Sequence, residues 1–267
     1  MAVYGMSWES HTGEFLTIAL EARSPHGVWL KETSGLSSQV DTDSAIAPTS
    51  VGEVVSGSSI PAMTGTLALA VSPAQAGSIL TLPQVWTMLK RCFSQVQYGT
   101  LRLSQMDGQV LSAKCRLNAP VPAPERNPHV DAFDLLETEV ELVCEQGVWF
   151  GMPDVGGPVD DGRQFINTGD LMEYLEVKWS GSGCSLQVDG GRVVDLPTVD
   201  GPRRLSTDPG TGFKITNPAT GRVDVAAWAS MRGRTVPGEI MPGGQVVVST
   251  TGNVTVTVTP RFLDPWR

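Results

Sequence analysis

Short alternations of apolar and polar residues recur along most of the chain, and one segment breaks that rhythm. Leu82, Val85, Trp86, Leu89, Cys92, Phe93 and Val96 fall at offsets 0, 3, 4, 7, 10, 11 and 14, on one face of a 3.6-residue period. The spacing predicts an amphipathic helix over 82–96. Thr81 suits its N-cap, Gln84 completes a capping box, and Pro83 is tolerated in the first turn. Such a helix packs its apolar face on a sheet.

The alternating segments around it read as strands. Leu101 and Leu103 alternate with polar neighbours, as do Leu111, Ala113, Cys115 and Leu117. A two-residue turn between them would mix faces. A three-residue loop, Met106-Asp107-Gly108, pairs Leu103 with Leu111 and Leu101 with Ala113, which keeps one face apolar. Further on, Leu136, Thr138, Val140, Leu142 and Cys144 point one way, and Glu137, Glu139, Glu141 and Glu145 point the other. That polar stripe is either a solvated sheet face, with Lys114 and Arg116 as cross-strand partners, or the lining of a pore or subunit boundary.

Between these strands lie Pro120, Pro122, Pro124 and Pro128, a density that excludes helix and central strand and predicts an extended, exposed loop. Glycines and prolines cluster again from Gly147 to Pro158, followed by Asp160 and Asp161, and the domain boundary reads near 147–160. Trp149 and Phe150 lie there and are candidates for an interdomain contact. Beyond it the pattern gives about eight short strands, near 163–168, 173–180, 184–189, 192–196, 213–217, 222–228, 244–250 and 253–260. The fold class is therefore mainly β in two domains. Residues 1–147 form an N-terminal β-sandwich or barrel carrying the helix 82–96, and 148–267 a C-terminal galectin-like or jelly-roll β-sandwich.

Charge changes the choice of partners. The chain of 267 residues has a formal net charge of -9, and its first 146 residues hold 8 basic and 15 acidic side chains. Clustered cations are what nucleic acids and anionic membranes require, so both are disfavoured as ligands. No apolar run approaches a membrane span, and the first residues lack the cationic start of a secretion signal. Cys92, Cys115, Cys144 and Cys184 form no Cys-x-x-Cys pair and read as buried, reduced thiols.

Candidate chemistry is sparse. His11, His26 and His129 are far apart in sequence and show no metal-ligand spacing. Asp154, Asp160, Asp161 and Asp170 lack the spacing of a calcium loop, and no nucleophile elbow or phosphate loop occurs. The expectation is no catalytic residue, no metal and no cofactor: not an enzyme. Most of the seven tryptophans, Trp228 among them, fall within predicted elements and read as core. Two exposed aromatics together would instead favour sugar stacking.

Four segments carry a resemblance. They are Glu139–Cys144 followed by Gly147-Val148-Trp149-Phe150-Gly151; Phe165-Ile166-Asn167-Thr168-Gly169-Asp170; Ile240-Met241-Pro242-Gly243-Gly244; and the closing Val254–Phe262 with Thr259-Pro260-Arg261-Phe262. In these the chain resembles the distal tail proteins, or minor tail proteins, of long-tailed bacteriophages with flexible, non-contractile tails. The resemblance implies a structural virion protein at the tail tip, assembled in the host cytoplasm. It implies a homo-oligomeric ring, usually a hexamer, joining the tail tube protein to the tail-tip hub, tape-measure and receptor-binding proteins. DNA would be passing cargo only, with no membrane insertion. Glu137, Glu139 and Glu141 would then face the lumen or a subunit interface, and Pro120, Pro122, Pro124 and Pro128 would reach a neighbouring subunit. The alternative is a carbohydrate-binding adhesin of the tail tip that contacts the host surface.

Overall fold

The computed structural model describes residues 5–18, 24–46, 53–76, 78–105, 108–124, 126–128, 130, 135–158, 162–234 and 238–266. The chain divides into two compact units, Met1–Phe150 together with Leu263–Arg267, and Gly151–Phe262. The fold is mainly β in both.

The first unit contains β1 (Gly5–Glu9), β2 (Phe15–Ile18), β3 (Val28–Gly35), β4 (Asp41–Ile46), β5 (Glu53–Ser59) and β6 (Met63–Val71). After two helices, α1 (Pro73–Ala76) and α2 (Leu82–Cys92), come β7 (Gly99–Ser104), β8 (Val110–Leu117), β9 (Leu136–Cys144) and β10 (Trp149–Phe150). The main sheet runs β2-β1-β7-β8-β9-β6-β3, with β10 also paired to β8, while β4 and β5 form a separate hairpin. The β7–β8 register is Leu103 opposite Leu111 and Leu101 opposite Ala113, and Gly108 takes φ +85°, as the three-residue loop requires.

Helix α2 buries Leu82, Val85, Trp86, Leu89 and Cys92, and Gln84 Oε1 accepts the Thr81 N–H at 2.8 Å. It ends at Cys92, four residues short of the predicted Val96. Two competing interactions stop it. Phe93 turns to an extended conformation and stacks on Trp8 at 4.5 Å between ring centroids. Ser94 Oγ then accepts the N–H groups of Val96 at 3.2 Å and Gln97 at 3.0 Å, a side-chain alternative to helical bonding. The Trp8 indole closes the helix end by donating to the Cys92 carbonyl at 2.8 Å. Gly99 must be glycine, because a Cβ there would lie 2.2 Å from the Trp8 ring.

The second unit holds β11 (Asp154–Gly156), β12 (Arg163–Ile166), β13 (Glu173–Tyr174), β14 (Glu176–Gly181), β15 (Ser185–Val188), β16 (Val194–Asp195), β17 (Val199–Ser206) and β18 (Ile215–Thr216). Helix α3 (Val225–Ser230) precedes β19 (Glu239–Ile240), β20 (Gln245–Thr251), β21 (Val254–Val258) and β22 (Arg261–Phe262). Two sheets, β11-β21-β14-β17-β18 and β12-β20-β15-β16, enclose one core. Val177, Trp179, Leu205 and Val256 contribute from one side, and Phe165, Leu186, Val246 and Val248 from the other. This is a β-sandwich.

The segment read as a strand over 222–228 is instead mostly helical. Asp224 caps α3, its Oδ1 accepting the Ala227 N–H at 3.0 Å, so a short polar residue wins over the Val/Ala pattern around it.

Candidate interface surfaces

Strand β9 sits between β8 and β6, and its side chains alternate as read from the sequence: Leu136, Thr138, Val140 and Leu142 are buried, while Glu137, Glu139 and Glu141 are exposed. On β6 the residues opposite the three glutamates are Ala70, Ala68 and Thr66, small side chains that leave the carboxylates uncovered. Lys31 on β3 reaches Glu137 at 2.7 Å, and Asn118 Nδ2 donates to Glu141 at 3.4 Å. Arg116 pairs with Glu145 at 2.6 Å, one of the cross-strand pairings the sequence offers. Among the described residues Glu139 has no ion-pair partner.

The proline segment has no regular structure, and Pro120 and Pro122 are exposed. Pro122 and Ala123 form one wall of a groove of about 470 Å³ whose other walls include Lys31, Ala68, Glu137 and Glu139. Two features that were separate in the sequence, the loop and the acidic stripe, therefore flank one surface. Exposed Leu135 and half-buried Pro128 continue the segment toward β9. His129 lies outside the described residues.

Trp149 is fully buried in the first unit, where its indole donates to the Leu36 carbonyl at 2.8 Å. Phe150 is partly exposed and pairs through its backbone with Ser112.

In the second unit the motif residues converge on Asn167, which is fully buried. Its Nδ2 donates to the Leu171 carbonyl at 2.7 Å and the Ile240 carbonyl at 2.8 Å, while its Oδ1 accepts the Gly169 N–H at 2.8 Å. Its backbone N–H donates to Gly244, and its carbonyl accepts from Gly243. Gly169 lies against the Arg261 backbone, so that a Cβ would approach the Arg261 carbonyl oxygen to 2.6 Å. Arg261 Nε in turn pairs with buried Glu173 at 3.0 Å. Burial pushes the Glu173 carboxyl above its ordinary pKa, against the opposing pull of Arg261. Three of the four motif segments thus meet in one polar knot that fixes loops.

A cavity of about 290 Å³ in the same unit was not foreseen. Phe213, Trp228, Met231, Arg232 and Arg234 line it. Phe213 sits at φ +51°, a conformation rare for an aromatic residue, and Arg232 lies over the Trp228 ring at 5.6 Å. The signal in the sequence was Trp228 followed closely by Arg232-Gly233-Arg234.

Among the described residues no group of three or more His, Cys, Asp or Glu side chains is placed to hold a metal, and no helix is long and apolar enough to cross a membrane. Asp154 pairs with Arg163 at 2.5 Å, and Asp160 and Asp161 lie outside the described residues. Burial lowers the His26 pKa, and its Nδ1 accepts the Thr17 N–H.

No family model and no curated protein matches this sequence. Among solved structures, the chain is similar to the crystal structure of the SPP1 Dit protein, described as a paradigm of the hub adsorption apparatus in phages that infect Gram-positive bacteria. The TM-score is 0.59 at 13% identity, over 98% of this chain and 100% of that one. It is also similar to chains of the phage P2 baseplate in its activated conformation, with calcium (TM-score 0.46) and with strontium (TM-score 0.45), each at 9% identity over 97% of this chain and 98% of the other. The fold of this chain is that of the SPP1 Dit protein.

Proposed function

We propose that the chain belongs to the distal tail proteins and is a structural, non-enzymatic component of a phage tail tip. The observation that carries this reading is the likeness to SPP1 Dit, which spans both units and covers 98% of this chain and 100% of that one. The motif residues support it from the sequence, since Asn167, Gly244 and Arg261 hold one another in place.

In this reading the first unit closes with copies of itself into a ring, a hexamer, that joins the tail tube to the hub and its receptor-binding proteins. Glu137, Glu139 and Glu141 line or approach the lumen, where carboxylates keep passing DNA from adhering. The proline loop beside them reaches the neighbouring subunit.

Light scattering on the purified chain, with negative-stain images, tests the proposal. An annulus of six copies is expected, with the acidic stripe toward its hole. A monomer at high concentration, or glutamates on the outer rim, would reject it.

A second reading has one observation in its favour. The cavity walled by Phe213 and Trp228, with Arg232 and Arg234 at its mouth, suits an anionic saccharide, as a carbohydrate-binding adhesin would require. Binding of a glycan panel to the full chain, lost in Trp228→Ala, would favour it.

A further inference from the structure

We propose that Cys115 and Cys144 are a two-thiol redox pair, closed to a cross-strand disulfide by a small peroxide. The inference goes beyond the tail-tip reading and does not depend on it.

Register places the two together. Strands β8 and β9 pair Arg116 with Val143 and Leu117 with Leu142, so the next positions outward are Cys115 and Cys144. The Asn118 N–H donates to the Glu141 carbonyl at 2.9 Å, which makes 118/141 a hydrogen-bonded pair. Alternation then makes 115/144 a non-hydrogen-bonded pair, the kind whose Cα atoms approach to about 4.5 Å and whose side chains lie closest. A disulfide needs roughly 4.4–6.8 Å between Cα atoms. Both sulfurs are fully buried and neither is bonded to another cysteine.

The surroundings of the two sulfurs differ. Cys144 ends its strand, and the chain folds back so that the Gly147 N–H donates to the Cys144 carbonyl at 3.1 Å with Gly147 at φ +65°. The Cys144 thiol lies at this turn and donates to the Val148 carbonyl at 3.9 Å, while the Cys115 thiol donates to the Ala113 carbonyl of its own strand at 3.7 Å. The Cys144 thiol is held below its ordinary pKa, chiefly by the bond from Cys115, whose own pKa rises in consequence. Cys92 is the contrast: burial first, then the Glu14 carboxylate beside it, pushes its thiol up to about 11. The proposal assigns Cys144 as the nucleophile and Cys115, across the strand pair, as the resolving thiol.

The step balances. The Cys144 thiolate attacks one oxygen of the hydroperoxide; the O–O bond breaks, and the departing oxygen takes a proton and leaves as water or alcohol. The Cys115 sulfur then attacks the Cys144 sulfenic acid. The S–O bond breaks, the S–S bond forms, and the hydroxyl leaves with the Cys115 proton as water. Two electrons pass from the thiols to the peroxide. Burial selects a small oxidant over a bulky disulfide. The bond would close a loop that contains the whole proline segment.

The test uses the full reduced chain and stoichiometric hydrogen peroxide. The expected result is an intact mass lower by two hydrogen atoms, and a non-reduced peptide map joining Cys115 to Cys144, before Cys92 or Cys184 gains oxygen. A phosphine should reverse it. In Cys115→Ser, unfolding the peroxide-treated chain in the presence of a dione reagent should trap sulfenic acid at Cys144. An unchanged mass, or earlier oxidation of Cys92 or Cys184, overturns the proposal. The wild-type map decides alone if the variant fails to fold.

Discussion

The Trp149 indole donates a 2.8 Å hydrogen bond to the carbonyl of Leu36, a residue buried at φ +59°. A left-handed backbone costs a leucine of order 1 kcal/mol or more, so the surrounding structure must hold it there. The Leu36 N–H is also bound, to the Thr64 carbonyl at 2.9 Å, and Gly35 before it is left-handed too. Gly65 gives the room: a Cβ there would meet the Leu36 side chain at 2.6 Å. Tryptophan, glycine and strained leucine therefore form one locked corner.

Trp149→Phe should keep most of the ring's packing and orphan the Leu36 carbonyl. The expected loss is about 1–3 kcal/mol, read by chemical denaturation of the first unit's signal. Gly65→Ala should cost at least as much, since the Cβ has nowhere to go. Equal stability of wild type and Trp149→Phe would show that the bond does not hold the corner.

Asn167→Ala removes a side chain that satisfies two buried carbonyls and one buried N–H. Each orphaned group costs about 1–3 kcal/mol, so the variant should lose several kcal/mol or fail to fold its second unit. Asn167→Asp keeps the acceptor for Gly169 and loses both donors, and should fall between. Thermal unfolding of the three proteins checks the order.

How much of this was legible follows from where the information sits. The register of β7 against β8 could be read because only one loop length buries Leu101, Leu103, Leu111 and Ala113 together. The two faces of β9 were equally plain. Strand β17 was not: in Val199–Ser206 only Val199 and Leu205 are buried, with a glycine, a proline and two arginines between. Its identity comes from backbone pairing to β14 and β18, a long-range cause with no local periodicity. Helix α3 hid because its capping bond outweighs its β-like composition. The proline loop and the acidic stripe were each visible, but their shared groove arises only when the chain folds back along β9 and β6.

Asp224 links α3 to the sheet. Its carboxylate caps the helix and pairs with Arg203 Nε at 2.7 Å. The Ala227 N–H, then Arg203, hold its pKa below the ordinary value. A depressed carboxylate stabilises the fold at pH values above its unfolded pKa, about 3.9, and that contribution is lost as pH falls through the folded value. Wild type should therefore lose stability in strong acid faster than Asp224→Asn. At neutral pH the variant, whose amide oxygen still caps the helix, should be weaker by at most about 1 kcal/mol, the worth of the lost Arg203 ion pair. Parallel acid titration curves for the two proteins would rule the linkage out.

Glu173 has the opposite sign. Burial raises its pKa even beside Arg261, so folding shifts the carboxyl toward its neutral form relative to the unfolded chain. A raised carboxyl contributes stability that is full below the unfolded pKa and disappears as pH rises through the folded one. Glu173→Gln should remove that pH dependence while keeping an acceptor for the Arg261 N–H, which now bonds Glu173 at 2.9 Å. Unfolding midpoints measured upward from the unfolded carboxyl pKa, about 4.3, should slope downward with pH in this unit of the wild type and run flatter in the variant. A wild-type slope that rises across this range and matches the variant's would place the Glu173 proton elsewhere.

If the proposed ring forms, the proline loop is where its assembly should be separable from folding. Pro120 and Pro122 are exposed and the segment contributes no strand to the sheet, so replacing 120–124 with glycine and serine should leave the unfolding midpoint nearly unchanged. If the loop reaches a neighbouring subunit, the same variant should shift the light-scattering mass from the ring toward the monomer. Flexible replacements also raise the entropy lost on docking, so the shift should deepen on dilution. A ring of unchanged mass at every concentration would assign the loop to the outside of the assembly and leave the acidic face beside it as the surface to test next.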